Sequence, residues 1–372
     1  MTGTGPLLTL TMMLKNEAAT IEATLATVAP FVDRWVIVDT GSTDGTQEIV
    51  RRAMKSVPGE LVEAPFVDFA TTRNFGLEAC GEATTFVLWL DADDYLDNGR
   101  ALRETLRAEQ GERGDDRDAY YVRVDVGSAT FDSVRVLRSS ARWRFRGSVH
   151  EVLVSGDGRV PKRRIPQAIV RHRAGDEGAA RSRARWERDV ELLQRELDRD
   201  PKSSRSAFYL GMTLYWLLRC DEAISALDRR IALGGWAEEI FYAKLTKGRA
   251  ARSGGRPWPE VLGYFLDACS AAPHRAEPLH AIAEHYDATG DHGLAMLFAR
   301  RGFELPLPKN DLLFIEEATY LWRCADLVGA HAFWLGEFEI GERAARQAVK
   351  AKPDDERLKR NLGFYLARKK KA

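Results

Sequence analysis

The sequence predicts an α/β domain built on a sheet that begins with parallel strands, followed by an all-helical repeat domain. Apolar runs typical of buried strands alternate with segments of helical periodicity up to about residue 98. From about residue 180 onward, apolar residues recur at helical spacing alone. A chain of 372 residues is also too long for one ordinary core. We therefore expect domains at 1–178 and 179–372.

The pattern in the first half of the chain predicts alternating elements, in the order strand, helix, strand, helix, strand, helix, strand. Its predicted strands are 7–14, 35–39, 61–62 and 86–90. The helices between them carry Ile21 to Val28, then Ile49 and Val50 behind an Asp44 N-cap, then 68–74. After a helix over 98–110, short strands are expected in an antiparallel part of the fold, at 119–126, 133–137, 143–145, 149–154 and 168–170.

Three carboxylates follow the fourth strand directly, at Asp91, Asp93 and Asp94. Ligands of open α/β sheets bind outside the carboxyl ends of such strands. Adjacent carboxylates repel one another unless a cation neutralises them, and their hard oxygens suit Mg²⁺ or Mn²⁺. This pattern indicates a metal site, whereas the alternative is a solvated acidic turn that caps the next helix.

Two further polar connections follow strands, at 15–17 and 39–46, so all three can meet at one edge of the sheet. A nucleotide would fit there, with Asp39 accepting a hydrogen bond from a base or ribose and helix N-termini holding phosphate. The sequence has no GxGxxG after the first strand and no GxxxxGK[ST]. Their absence argues against a dinucleotide-binding Rossmann domain and a P-loop NTPase.

Four motifs together resemble glycosyltransferase family 2: MLKNE at 13–17, IVDTGSTDGT at 37–46, DFATTRN at 68–74 and LWLDADD at 88–94. The resemblance implies a GT-A fold with a mixed sheet and a Rossmann-like first half, a nucleotide-diphosphate sugar donor and a divalent metal, Mg²⁺ or Mn²⁺. It also implies that Asp39 contacts the nucleobase, that Arg73 lies near the base or diphosphate, and that Asp93 with Asp91 binds the metal. The expected donor-binding residues are Lys15, Asn16, Glu17, Asp39, Gly41, Ser42, Asp44, Arg73, Asp91 and Ala92.

The segment FRGSVHE at 145–151 resembles the His-Glu motif of a subgroup related to sublancin-type peptide S-glycosyltransferases. His150 is the resulting candidate metal ligand, and Glu151 the candidate general base, with Asp94 as a further catalytic carboxylate. Adjacent side chains of a regular strand point to opposite faces, so both can reach one cleft only if the chain is irregular there. His172 is a second candidate ligand and ranks below His150.

The second half resembles tetratricopeptide helix pairs. The segment 206–218 followed by 221–227 carries the Leu-Gly and Glu-Ala marks of one pair, with weaker echoes at 290–295, 336–341 and 353–366. Stacked helix pairs leave a face for an extended partner. This domain is therefore expected to bind a peptide or protein acceptor, to form a homodimer, or both.

These patterns predict an inverting glycosyltransferase that acts on a Cys, Ser or Thr side chain. Three alternatives stay open: a cell-envelope or small-molecule glycan acceptor, a nucleotidyltransferase, and a non-catalytic scaffold with an inert α/β half. A nucleotidyltransferase usually has a Gly-rich basic loop where this chain has 15–17.

Composition bears on partners and location. Lys plus Arg and Asp plus Glu balance at 55 each, and no zinc-finger or aromatic-interleaved basic motif predicts nucleic-acid binding. Four isolated cysteines, no signal peptide and no apolar run long enough for a membrane helix predict a cytoplasmic protein.

Overall fold

The computed structural model describes residues 5–112, 118–126, 130–141, 143–155, 163–172 and 179–369. Contacts divide the chain into two compact units, Met1–Arg185 and Trp186–Ala372. We call them the α/β unit and the helical unit.

The α/β unit has the predicted alternation of strands and helices. Its helices are α1 (Ile21–Val28), α2 (Thr46–Ala53), α3 (Phe69–Cys80) and α4 (Gly99–Glu109), with a 3₁₀ turn at Ala29–Phe31. Its strands are β1 (Leu8–Leu14), β2 (Arg34–Asp39), β3 (Gly59–Glu63), β4 (Phe86–Trp89), β5 (Asp94–Asp97), β6 (Ala119–Asp125), β7 (Thr130–Arg138), β8 (Trp143–Arg146), β9 (Val152–Ser155) and β10 (Arg163–His172).

One mixed sheet carries most of these strands, in the order β3-β2-β1-β4-β7-β6-β10-β5. Strands β3, β2, β1 and β4 are parallel, which places the chain after β1, β2 and β4 at one edge. Strand β7 pairs antiparallel with both β4 and β6, and β5 pairs antiparallel with β10. The predicted GT-A-type architecture, with a Rossmann-like first half and a mixed sheet, is confirmed.

Four details differ from the prediction. Strands β6 and β10 pair in parallel, so the second part of the sheet is not wholly antiparallel. Asp94 begins strand β5 instead of lying in a turn, and β8 and β9 form a separate hairpin. The N-cap of α2 is Gly45, whose φ of 89° suits glycine. Asp44 Oδ1 accepts from the N–H of Thr46, two positions later, at 3.1 Å.

The core of the α/β unit forms because β1 and β2 are apolar along almost their whole length, and both are buried. Asp68 caps α3 by accepting from the Thr71 N–H at 2.6 Å. This cap fixes where α3 begins, and α3 carries Arg73 toward the end of β4.

The helical unit is a succession of helices in which each packs against the next. Helix α5 (Ala179–Arg199) crosses the unit boundary. The remaining helices are α6 (Ser204–Trp216), α7 (Cys220–Ala232), α8 (Ala237–Ser253), α9 (Trp258–Ala271), α10 (Glu277–Ala288), α11 (His292–Phe303), α12 (Cys324–Trp334, after a π-helical turn at Thr319–Arg323), α13 (Phe338–Ala351) and α14 (Glu356–Lys369).

The first helix pair shows why the Leu-Gly mark matters. A Cβ at Gly211 of α6 would lie 2.6 Å from the Leu227 side chain of α7, so only glycine allows this approach. The predicted tetratricopeptide-like helical domain is confirmed as a helical fold. Within the part of the chain that the structure describes, no helix is both long enough and apolar enough to cross a membrane.

The start of β1 depends on Asp33, which accepts hydrogen bonds from the N–H groups of Leu7 and Leu8 and an ion pair from Arg103 at 2.6 Å. Burial would raise the pKa of Asp33, but Arg103 and these N–H groups outweigh it and lower the pKa. We expect Asp33→Asn to lower the free energy of unfolding by about 1–3 kcal/mol near neutral pH.

The same substitution has a definite pH dependence. Because the folded pKa is lowered, the contribution of Asp33 is present above its unfolded pKa of about 3.9 and is lost as the pH falls through the folded value. Thermal unfolding at several pH values should therefore show wild type and Asp33→Asn converging in acid. Glu22→Gln, which breaks an exposed pair with Arg52, serves as the control and should change little at any pH. A constant gap between wild type and Asp33→Asn would contradict the assignment.

Candidate functional site

Asp39 ends β2 and is fully buried. Its Oδ1 accepts from the N–H groups of Gly41 and Ser42, each at 2.8 Å, while its Oδ2 is buried without a hydrogen-bond partner. Burial would raise the pKa of Asp39, but the N–H groups of Ser42 and Gly41 help to hold it below its ordinary value. Asp39 is therefore a fixed carboxylate with one acceptor oxygen to spare.

The loops after β1 and β2 are hydrogen-bonded to each other. Asn16, at φ 57°, donates its N–H to Ser42 Oγ at 2.9 Å and accepts from Thr43 N at 2.8 Å through Oδ1. Glu17 N donates to Thr46 Oγ1, and Asp44 Oδ2 accepts from Ala18 N. These predicted donor-site residues are thus brought together, with Lys15 exposed beside them.

Arg73 lies between two carboxylates. Its Nη2 contacts Asp91 Oδ1 at 2.6 Å, and its Nε contacts Glu151 Oε1 at 2.5 Å. Its guanidinium also lies over the rings of Trp89 and Phe145, at 4.5 and 5.5 Å from their centroids. Burial would lower the pKa of Arg73, but Asp91 and Glu151 raise it. The structure therefore joins three predicted site residues in one ion-paired group.

A second arginine, Arg135 of β7, holds the carboxylates from the other side. Its Nη1 contacts Asp94 Oδ2 at 2.9 Å and Asp91 Oδ2 at 3.6 Å, and its guanidinium lies 4.0 Å from the centroid of the Trp89 ring. Burial would raise the pKa of Asp91, but Arg73 and Arg135 lower it. Asp91 is consequently an ionised carboxylate with a cation on each of its oxygens.

Asp93, Asp94 and His172 form the group that could hold a metal ion, with one ligand atom from each lying within 4.8 Å of the others. His172 Nε2 lies 3.4 Å from Asp93 Oδ2, and Nδ1 lies 3.3 Å from Asp94 Oδ1. The hydrogen bond to Asp94 raises the pKa of His172, and burial raises that of Asp93 to about 6. Two carboxylates and an imidazole form a donor set that suits a divalent cation.

The structure places three of the predicted site residues differently from the arrangement that the sequence led us to expect. His150 is exposed at φ 50° and does not join this group, so the histidine beside the carboxylates is His172. Asp91 is not part of the group either, because its oxygens face the two arginines. Asp94 is fully buried against Arg135, His172 and the Asp91 N–H, which leaves it no open side for a substrate.

The position of Glu151 depends on α3. Asn74 Nδ2 donates to the Phe145 carbonyl at 2.9 Å, and its Oδ1 accepts from the Phe145 N–H at 2.8 Å, which fixes β8 against α3. Residues 147–151 then leave regular strand geometry, as His150 at φ 50° shows. Glu151 consequently turns toward Arg73 while His150 turns to solvent. Ala92 is buried, and its carbonyl accepts from Thr24 Oγ1 at 2.8 Å.

Sequence reasoning missed Arg135. The available signal was a charged residue inside the apolar run 134–137, since arginine is seldom buried unless it is paired. Its partners could not be read from that run, because β7 meets β4 only through the order of strands in the sheet.

We expect Arg135→Met to destabilise the α/β unit by about 3–5 kcal/mol, because Asp94 would keep a buried charge without its guanidinium partner. Urea unfolding followed by tryptophan fluorescence measures this. The matched control is Arg171→Met, which breaks exposed contacts to Asp97 and Asp125 and should cost about 0–1 kcal/mol. Equal losses in the two variants would show that Arg135 does not neutralise a buried charge.

Comparisons with known proteins show which families the chain resembles. Residues 9–153 match the model of the family described as glycosyl transferase family 2. The SPbeta prophage-derived glycosyltransferase SunS of Bacillus subtilis (strain 168) is 23% identical over 228 residues, covering 61% of this chain and 53% of that protein. The chain thus spans about half the length of that relative.

Two further similarities concern longer stretches. A TPR repeat-containing protein of Synechococcus elongatus is 26% identical over 300 residues, covering 75% of this chain and 64% of that protein. The crystal structure of S. aureus TarS 1-349 in complex with UDP-GlcNAc aligns with a TM-score of 0.39 at 15% identity, covering 67% of this chain and 88% of that one. The four motifs lie within residues 9–153, so this region of the chain is similar to glycosyltransferase family 2.

Proposed function

We propose that this protein is a metal-dependent inverting glycosyltransferase that moves a sugar from a UDP- or GDP-sugar to a Cys, Ser or Thr side chain of a peptide or protein. The observation that carries the proposal is the continuous group of alternating charges within and beside the region that matches the family 2 model. It runs through Glu151, Arg73, Asp91, Arg135, Asp94, His172 and Asp93.

The donor's nucleoside would lie against the loops after β1 and β2. Asp39 Oδ2 is a buried acceptor without a partner, which is unfavourable until a donor reaches it. An N–H of the base or a ribose hydroxyl has the required hydrogen. The mutual bonds of Asn16, Ser42 and Thr43 hold both loops in place before the donor arrives.

Asp93 and His172 would hold the metal. Their side chains are 37% and 41% exposed, so both are open to a ligand, whereas Asp94 is buried and would fix the ring of His172 through Nδ1. The nitrogen in this set favours Mn²⁺ over Mg²⁺, which keeps to oxygen ligands. A bound cation would offset the charge that develops on the diphosphate leaving group.

Arg73 and Glu151 would serve the reacting groups. Arg73 is a planar cation that can bind diphosphate oxygens through two N–H groups. Glu151 would take the proton of the acceptor as its oxygen or sulfur bonds to the anomeric carbon. The bond from that carbon to the diphosphate oxygen breaks on the opposite face, which inverts the configuration. In the free protein Arg73 and Glu151 neutralise each other.

The proposal of a peptide or protein acceptor rests on the motif at 145–151. We assign acceptor binding to the helical unit. Homodimer formation stays a prediction. All four cysteines are free thiols, two of them buried, which favours a reducing compartment such as the cytoplasm.

A thermal-shift screen tests the donor site. We expect one nucleotide-diphosphate sugar to raise the melting temperature in the presence of Mn²⁺, since a ligand at about one hundred times its Kd stabilises by about 2.7 kcal/mol. Asp93→Asn should abolish the metal-dependent part of the shift. Asp97→Asn removes a partly exposed carboxylate from the end of β5, the strand that begins directly after Asp93, and should leave the shift intact. No shift with any donor would refute the transferase proposal.

Glu151→Gln tests the base. With a hydroxyl acceptor we expect kcat to fall by about 10²–10⁴-fold, while the donor KM changes little. With a thiol acceptor the loss should be smaller, because part of the thiol is already ionised near neutral pH. Glu78→Gln removes a surface carboxylate from α3 and is the control. An unchanged kcat with a hydroxyl acceptor would exclude Glu151 as the base.

A further inference from the structure

Residues 311–316, which we call the resident segment, are part of the connection between α11 and α12. They contact residues of α6, α8 and α10. We call the surface that they contact the receiving face. The contacts are made by Phe208 of α6, by Glu238, Tyr242 and Arg249 of α8, by Glu277 of α10, and by Arg275, which lies two residues before Glu277.

The receiving face forms hydrogen bonds with the backbone of the resident segment. One carboxylate oxygen of Glu238 accepts from the N–H groups of Leu312 and Leu313, at 2.7 and 2.8 Å. Arg275 donates to the carbonyls of Leu313 and Phe314, at 3.4 and 3.0 Å. Contacts of this kind recognise an irregular or extended chain whatever its side chains are.

Two side chains of the segment supply selectivity. The Phe314 ring lies 4.9 Å from that of Tyr242, between ring centroids, and 6.4 Å from that of Phe208, nearly parallel to it at 15°. Glu316 forms an ion pair with Arg249 at 2.6 Å. Leu312 is 84% exposed, against 42% for Phe314. The receiving face therefore selects a chain that has an aromatic ring and, two positions later, a carboxylate.

Arg275 pairs with Glu277 at 2.7 Å and with Asp311 of the resident segment at 3.1 Å. Arg275 and Glu277 are almost fully buried and form a bidentate pair, and Tyr320 donates its hydroxyl to Glu277 at 2.8 Å. The contacts with Glu277 and Tyr320 lie outside the segment, so part of the network that orients the Arg275 guanidinium does not depend on the segment.

The resident segment itself is strained. Phe314 has φ 42°, in the left-handed region that an aromatic residue seldom adopts. Both ends of the segment are tied to helices, so its backbone has to bend to place this ring. A peptide without such ends could present the same ring and carboxylate in a relaxed conformation.

We propose that the receiving face is a binding site for an extended peptide that carries an aromatic residue and a carboxylate two positions later, and that the resident segment occupies it as an internal competitor. Tethering gives the segment a high effective concentration, so an external peptide binds weakly until the segment is released. The proposal concerns peptide binding alone and holds whether or not the α/β unit transfers a sugar.

The test uses a fluorescein-labelled peptide with the sequence of residues 309–317, KNDLLFIEE, and anisotropy titrations with the full chain. Leu312→Pro removes the N–H that bonds to Glu238, and the exposed side chain contributes little packing. Leu312→Ala keeps that N–H and is the matched control. We expect the peptide to bind Leu312→Pro at least about tenfold more tightly than Leu312→Ala or wild type.

Two further arms identify the site. Adding Glu238→Ala to Leu312→Pro should remove the gain, because alanine has no acceptor for the peptide N–H groups. A peptide in which the residue matching Phe314 is alanine should also lose the gain. If Leu312→Pro does not melt cooperatively, Phe314→Ala replaces it, since alanine removes the ring and keeps the unfavourable positive φ. Equal peptide affinity in the folded release variant and in Leu312→Ala would overturn the proposal and leave the segment as a structural part of the helical unit.

Discussion

Three carboxylates within four residues impose the constraint on which the α/β unit depends. Asp94 is fully buried, with Asp91 and Asp93 close by, and such charges are tolerated only when cations lie between them. The chain meets this need by alternating sign from Glu151 to Asp93. The members come from α3, β5, β7, β10 and the loops that follow β4 and β8, so the strand order and the charge pattern require each other.

Trp89 is the neutral part of this arrangement. Both guanidinium groups lie over its ring, Arg73 at 4.5 Å and Arg135 at 4.0 Å from the centroid, and its own N–H donates to the Val134 carbonyl at 2.8 Å. A ring fixed in this way lets two like charges approach the same carboxylates, because each gains cation–π attraction as well as an ion pair. The apolar end of β4 is therefore part of the site's electrostatics.

The sequence allowed prediction of the parts of the site that depend on local order. Asp39 and Asp91 follow apolar strands, and parallel strands bring their carboxyl ends to one edge. His172 and Arg135 depend instead on which strands become neighbours, and β10 reaches Asp94 only by pairing with β5. The left-handed backbone at His150, with φ 50°, is uncommon for a residue other than glycine and is not predicted by the neighbouring residues.

In each unit, residues of the chain itself pair with the groups that we propose to bind a ligand. Arg73 is neutralised by Asp91 and Glu151, and the receiving face is covered by the resident segment. Internal partners lower the affinity of any ligand, because existing contacts have to break first. They also keep the binding groups ordered, so that little conformational entropy is lost on binding. A ligand that cannot replace every broken contact would leave a buried charge unpaired, and that cost separates correct from incorrect ligands more sharply than attraction alone.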